Sequence, residues 1–409
     1  MRKKIIIVGA GVAAVHAIKT IREHNPSIDI TVYGEEPFYP YYRLKLSKNL
    51  MGNLAEDGLL IQTKAWYETH RVNFYPGRKV VRIAPDQQTL WLADGSCDMY
   101  DSLLLANGAA NNPPPLETGL AGDLYTLRTL ADARRIQKRV LEKSRIVNIG
   151  GGVQGIETAW ALCQHQKKVL VVEIGPRLFP NQLDEAAAAI VKKSMEAFGV
   201  QVLTDTRITK ACGEQACEGV VTADGQRIDC DMVIYATGIR PNLDILEGTS
   251  IKRDRGVLVD DTMQTNIPNI YAAGDVAEYM GRVGGLWSIA MAQGKVAGSN
   301  MVHYPLFYRP VVPVTVLNAF QLGVFSMGTI VESNDTFSVI EEDIQANRYS
   351  RIFIRENRIV GAIVIGDLNR SNLLKRAIEK EVEVNGRDWT TVSVDGLLSH
   401  LRRQLERQS

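Results

Sequence analysis

The chain contains no Cys-x-x-Cys pair. Its five cysteines (Cys97, Cys163, Cys212, Cys217 and Cys230) are scattered, and an odd count without framework spacing fits a reducing compartment. Cys212, Cys217 and Cys230 are formal candidates for a metal, but they fall where the sequence reads as a strand–turn–strand excursion, so no metal site is expected. No apolar segment approaches the roughly 20 residues that span a bilayer. No long basic or acidic run is present either: the formal net charge is +1 over 409 residues, 23% of them charged. Nothing here recruits nucleic acid or a membrane surface. None of the six histidines falls in a motif.

The N-terminus, MRKKIIIVGAGVAAVHA, has the positive start and apolar middle of a secretory leader, with small residues at Ala14 and Ala17. Glycines break that run, and cleavage would remove a motif completed elsewhere in the chain. The preferred reading is a first strand followed by a phosphate turn, in a cytoplasmic protein.

What the chain does have is clearest in Ile146–Leu162, IVNIGGGVQGIETAWAL. An apolar strand runs into Gly150-x-Gly152-x-x-Gly155, and a helix carrying Glu157 follows. Strand, glycine turn and helix N-terminus together suit a dinucleotide: glycines let pyrophosphate approach the backbone, and unpaired N–H groups meet the anion. One such turn carries little specificity. A second occurs near the start, where Ile5–Val8 leads into Gly9-Ala10-Gly11-Val12-Ala13-Ala14.

Each turn has an acid downstream. Glu173 ends the predicted strand Lys168–Val172, 21 residues beyond Gly152, the spacing for a ribose 2′-hydroxyl. A carboxylate there repels a 2′-phosphate, and no arginine follows immediately, Arg177 being the nearest. NADH is therefore expected rather than NADPH. Glu35 ends the strand predicted at Ile28–Tyr33, 24 residues beyond Gly11, a longer offset.

The two halves repeat further. Ala106-Asn107-Gly108 after Ser102–Leu105 is echoed by Ala236-Thr237-Gly238 after Met232–Tyr235. Gly9 and Gly150 are 141 residues apart, Gly108 and Gly238 130, which reads as an internal duplication. Ile270–Ala273 is a further strand, ending in Gly274-Asp275, where open α/β sheets bind ligands. Strands are also expected at Phe74–Ile83 and Thr89–Leu92, and helices at Leu130–Glu142 and Trp287–Asn300. Beyond the linker Tyr304–Pro313 the texture changes. Strands are predicted at Val314–Val316, Thr336–Ile340, Arg348–Arg355 and Ile359–Ile365, and helices at Ser371–Glu379 and Asp395–Arg407.

Taken together, the two fingerprints, the two Ala-x-Gly strand ends, Ala273-Gly274-Asp275-Val276 and the Trp287…Gln293-Gly294…Ala297-Gly298 helix resemble the FAD/NAD(P)-dependent pyridine nucleotide–disulfide oxidoreductase superfamily, over essentially the whole chain. Pro40-Tyr41-Tyr42-Arg43…Leu46-Ser47-Lys48, Tyr125-Thr126-Leu127-Arg128-Thr129 and Gly361-Ala362-Ile363…Gly366-Asp367 look most like NAD(P)H:rubredoxin oxidoreductases and the flavin part of nitrite reductase large subunits. The fold implied is α/β, two Rossmann-like dinucleotide-binding domains plus a C-terminal α+β domain. An FAD domain would cover 1–110 and 236–305, an NAD domain 111–235, and the last domain 306–409.

The resemblance also implies site residues. FAD would lie on Gly9, Gly11 and Ala14, with Glu35 on the adenosine ribose and Val80 near the adenine. Arg43 and Lys48 would run along the flavin nucleotide, Asp275 beside the ribityl and pyrophosphate, and Trp287 near the isoalloxazine. Ala106, Gly108, Arg128 and Gly274 complete that set. NAD would lie on Gly150, Gly152, Gly155, Glu173 and Gly238. Glu157, reaching the flavin's reactive edge and paired with Lys48, would be the catalytic pair. Two positions depart from the family pattern: Asn107 replaces a threonine, and Ala14 stands for a third glycine. More consequential, Pro40, Tyr41, Tyr42 and Arg43 stand where other branches carry cysteine, so no disulfide relay is available.

The activity implied is an FAD-dependent NADH oxidoreductase passing electrons singly to rubredoxin or another iron–sulfur carrier. Arg43, Lys45 and the Arg282 loop are candidates for a cationic rim facing an acidic carrier, and equally for ordinary solvated charges plus contacts to the FAD phosphates. Two other readings stay open: an NADH oxidase acting on oxygen or quinones, and a non-catalytic NADH-sensing flavoprotein. The oligomeric state is also open, a homodimer through the last domain included.

Overall fold

The computed structural model describes residues 3–117, 124–214, 216–384 and 392–407. Two compact units emerge. The first comprises Met1–Leu46, Asn53–Asn112 and Gly238–Val311; the second comprises Ser47–Gly52, Pro113–Thr237 and Val312–Ser409.

In the first unit, Ile5, Ile6 and Ile7 are completely buried, so both faces of their strand are covered, as a central parallel strand requires. Lys4–Val8 pairs in parallel with Asp29–Tyr33 on one side and Ser102–Leu105 on the other. Val72–Tyr75 and Ile270–Ala272 add the two outer strands. Each fully buried isoleucine contributes about 1.5–3 kcal/mol. The helices Val12–His24 and Trp287–Met301 pack closely. A Cβ at Gly294 would lie 2.2 Å from the Ala13 carbonyl oxygen, and one at Gly298 2.5 Å from that of Ala17. Gly77, at φ +72°, splits the stretch expected as one strand. Val72–Tyr75 joins the parallel sheet, and Val80–Ala84 starts an antiparallel excursion with Thr89–Leu92 and Cys97–Met99.

The second unit repeats this plan. Its parallel sheet runs Gln201–Leu203, Lys168–Val172, Arg145–Ile149, Met232–Tyr235, Leu124–Thr126, with its own antiparallel excursion of Ile208–Cys212, Gly219–Thr222 and Arg227–Asp229. The fifth strand precedes the others in the chain here and follows them in the first unit. The duplication thus extends to strand order, excursion included.

The same unit carries an antiparallel sheet ordered Val314–Ala319, Leu322–Gly328, Arg358–Ile365, Arg348–Arg355, Thr336–Asp343. Helices Ser371–Glu379 and Val394–Arg407 cover it through Leu374, Ile378, Leu397 and Leu401. Phe320, at the hairpin between the first two strands, packs its ring 4.8 Å from Trp160. Asp184 accepts hydrogen bonds from Tyr349 Oη at 2.5 Å and Arg351 Nη1 at 3.0 Å. Among the described residues no helix is long and apolar enough to cross a membrane.

Candidate functional site

The two glycine turns are built the same way. Gly9 has φ +103°, and a Cβ there would lie 2.2 Å from the Ala106 carbonyl oxygen. Gly150 has φ +116°, and a Cβ there would lie 2.4 Å from that of Ala236. Each first glycine thus lets its turn sit directly on the neighbouring strand end, at Ala106 in the first unit and Ala236 in the second. The second glycines do the opposite: a Cβ on Gly11 or Gly152 would meet nothing within 4 Å.

The helices that follow are open at their first turns. Gly11 caps Val12–His24 and Gly152 caps Val153–Cys163, neither with a side-chain hydrogen bond nor an acidic residue in the first turn. By contrast, Thr129 and Asp184 cap Leu130–Val140 and Glu185–Ala197 with their side chains. Bare N–H groups beside open space at a helix N-terminus suit a pyrophosphate. On this observation both turns fit a dinucleotide. Gly155 is sealed instead, since a Cβ would lie 2.0 Å from the Gly150 carbonyl oxygen. Asn148, fully buried in the preceding strand, donates to that same oxygen at 3.2 Å. Sequence reasoning passed over this latch, although a lone polar residue in an all-apolar strand is its signal.

The two downstream acids differ. Glu173 is buried and accepts from Gly151 N at 2.6 Å and Gly175 N at 2.7 Å, so its carboxylate is fixed against the turn. Arg177 donates to the Leu183 and Pro180 carbonyls, and so is already engaged rather than waiting for a 2′-phosphate. Glu35 is 63% exposed and pairs with Lys79 Nζ at 2.8 Å. Val80, next to that lysine, is buried.

In the first unit, Arg43 pairs with Glu36, and Tyr41 donates to the other Glu36 oxygen at 2.6 Å. Burial opposes the guanidinium charge, but Tyr41, Glu36 and Asp275 outweigh it and push its pKa up. Arg43 is therefore turned toward Glu36 and drops out of the cationic rim. Trp287 stacks on Tyr42 with ring centroids 5.4 Å apart, and Lys45 Nζ lies 4.9 Å over the same Tyr42 ring. Gly274, at φ +81°, donates its N–H to the buried Gln293 Oε1 at 2.9 Å, which sets the turn that presents Asp275. Asn107 Nδ2 donates to Asn242 O at 2.8 Å, and Asn242 Nδ2 returns the bond to Asn107 O at 2.8 Å. That reciprocal pair flanks the small sheet of Ala109–Asn111 with Ile239–Pro241.

In the second unit, Glu157 accepts from Ser47 Oγ at 2.5 Å on Oε2, while Lys48 Nζ stands 3.9 Å from Oε1. Lys48 comes to this site because Ser47–Gly52 belongs with the second unit, not with the segment before it. Burial raises the Glu157 pKa; the Ser47 hydrogen bond and the Lys48 charge oppose that without cancelling it. Arg128 donates its N–H to Asp132 Oδ2 at 3.1 Å, within the capping box of Leu130–Val140, and Gln154 reaches the Leu127 carbonyl. In the excursion, buried Cys217 and Cys230 touch, Sγ to Sγ 3.6 Å. Among the described residues no group of three or more His, Cys, Asp or Glu could hold a metal ion.

Two nucleotide-type turns on two parallel sheets define a double dinucleotide-binding fold. The pyridine nucleotide-disulphide oxidoreductase model matches residues 3–294, and the rubredoxin NAD+ reductase C-terminal domain model matches residues 313–382. The chain belongs to the pyridine nucleotide-disulphide oxidoreductase family, which is FAD- and NAD(H)-dependent. It is 30% identical to the NADH-rubredoxin oxidoreductase of Clostridium acetobutylicum, over 97% of this chain and 99% of that one. It is 31% identical to the nitrite reductase [NAD(P)H] of Bacillus subtilis over 94% of this chain, but spans about half, 48%, of that protein's length. The crystal structure of the Clostridium acetobutylicum NADH:rubredoxin oxidoreductase superposes with a TM-score of 0.78 at 29% identity, covering 98% of this chain and 100% of that one.

Proposed function

We propose that the protein is a cytoplasmic, FAD-dependent NADH oxidoreductase that passes electrons to a small redox protein, rubredoxin or another iron–sulfur carrier, without a redox-active disulfide. The observation that carries this reading is the pair of uncapped, glycine-opened helices, one in each unit, in a chain with no Cys-x-x-Cys. The match at residues 313–382 and the full-length similarity to an NADH-rubredoxin oxidoreductase support the choice of partner.

FAD is assigned to the turn Gly9–Ala14 of the first unit, with Glu35 and Lys79 at its ribose, and Asp275 and Trp287 toward the flavin end. NADH is assigned to Gly150–Gly155 of the second unit, with Glu173 excluding a 2′-phosphate by charge and by its fixed position. When bound, FAD supplies a two-electron acceptor that can release electrons one at a time. The chain's own contribution is orientation and electrostatics: helix N–H groups neutralise the pyrophosphates, and Glu157 holds a desolvated carboxyl one turn into the nicotinamide-nucleotide helix, beside Lys48. Of the three candidates for a cationic rim, the exposed Arg282 and Lys45, which lies over Tyr42 and donates to the Gly58 carbonyl at 3.2 Å, are assigned to meet an acidic carrier.

The test is steady-state NADH oxidation with and without oxidised rubredoxin. Strong stimulation by the carrier supports the reading. Rapid peroxide formation that no carrier competes with would replace it by an oxidase.

A further inference from the structure

We propose that Ser47 is a positioning residue of the NADH-oxidising site, one that keeps the Glu157 carboxyl both in place and ionised; this rests on the function just proposed. Glu157 lies on the helix Val153–Cys163, five residues beyond the open Gly152, and its side chain is 13% exposed. A carboxylate so desolvated tends to take up a proton, and burial is indeed the largest influence on it. Two groups resist that tendency, and they are unequal. Lys48 is 62% exposed and 3.9 Å away, so water and salt screen most of its charge. Ser47 is buried, and its hydroxyl donates to Oε2 at 2.5 Å. A short hydrogen bond to an ionised acceptor in a dry site is the stronger of the two.

The segment that carries Ser47 is itself anchored. Leu50 N donates to Ser47 O at 3.3 Å, and Gly52 N to Asn49 O at 2.8 Å. Gln137 Nε2, on the helix Leu130–Val140, donates to Gly52 O at 2.7 Å. Leu50 is fully buried. The Gly52 end of Ser47–Gly52 is thus tied to the helix Leu130–Val140, and the two bonds within the segment hold its own turn behind the Ser47 hydroxyl. The chemical reason to hold Glu157 ionised is that nicotinamide gains positive charge as it loses hydride, which a carboxylate stabilises and a carboxylic acid does not.

The experiment compares Ser47→Ala, Ser47→Thr and Lys48→Gln holoproteins with wild type. Two readouts are taken across pH: the rate of flavin bleaching by NADH under anaerobic single turnover, and the Glu157 carboxyl titration by infrared difference against Glu157→Gln. For Ser47→Ala the bleaching rate should fall about tenfold at neutral pH and recover on going alkaline, with flavin content unchanged. Its carboxyl titration should move to higher pH. Lys48→Gln should move both less, and Ser47→Thr, which keeps the hydroxyl, should stay near wild type. A Ser47→Ala profile and titration that coincide with wild type, or a larger displacement from Lys48→Gln, would overturn the role of Ser47. If wild type itself is not bleached by NADH, the proposed function fails, and the carboxyl titration still decides whether Ser47 governs Glu157.

Discussion

Ser47 and Glu157, 110 residues apart in the chain, are joined by a 2.5 Å hydrogen bond inside the second unit, while Lys48, the next residue, stays mostly in solvent. The carboxyl therefore has one close neutral partner and one loose charged one. That asymmetry makes its behaviour with pH measurable.

Replacing Glu157 with Gln keeps the shape and the Ser47 contact but removes the charge. Flavin reduction by NADH should slow by about 10²-fold or more, with FAD occupancy near wild type, as read by stopped-flow bleaching and flavin-to-protein ratio. Loss of FAD with normal reduction in the remaining holoprotein would place Glu157 elsewhere.

The same group predicts a pH-dependent stability difference. Burial raises its folded pKa, so its stabilising contribution is complete below the unfolded value and is lost as pH rises through the folded one. Glu157→Gln removes that loss. The Tm of the variant minus that of wild type should grow as pH rises above the ordinary carboxylate range, about pH 4, and not shrink.

The glycines of the second turn should separate by function. Gly150→Ala forces a Cβ to 2.4 Å from a carbonyl oxygen at φ +116°, and should destabilise by at least ~2 kcal/mol or prevent folding. Gly152→Ala meets nothing and should fold within ~1 kcal/mol of wild type. Its KM for NADH should nonetheless rise, because the methyl projects where pyrophosphate would approach. Urea unfolding and steady-state kinetics on both variants check this.

Glu173→Ala should narrow the preference for NADH over NADPH and cost stability at once. The N–H groups of Gly151 and Gly175 lose their acceptor, about 1–3 kcal/mol for each left unpaired. A variant with unchanged Tm would show that water satisfies those amides.

Much of this was legible because buried parallel strands are short, all-apolar and stopped by glycine. Ser102–Leu105, Lys168–Val172 and Met232–Tyr235 have the bounds their sequence predicts. The strand Leu322–Gly328 escaped notice: it contains Gly323 and Ser326, and its pairing partners on one side, Gly361–Ile365, lie far along the chain. The short helix Leu44–Lys48 was hidden behind prolines and aromatics that read as a turn. Arg43 reads from the sequence as a cation for the flavin nucleotide or an acidic carrier, and its pairing with Glu36 was not legible because that acid stands on the far side of the turn. Ser47 carried no signal of its own, since a serine next to a lysine says nothing until the distant carboxyl is found beside it. Side-chain partners far apart in sequence are set by tertiary packing, which periodicity does not encode.

The most direct measurement is a two-step anaerobic experiment on the holoprotein: reduce it with one equivalent of NADH, then mix it with oxidised rubredoxin or, separately, with oxygen. Bleaching of the flavin band by NADH, followed by reoxidation much faster with rubredoxin than with oxygen, is the predicted result. A flavin that NADH does not bleach, or one that oxygen reoxidises faster than any iron–sulfur carrier, would contradict it.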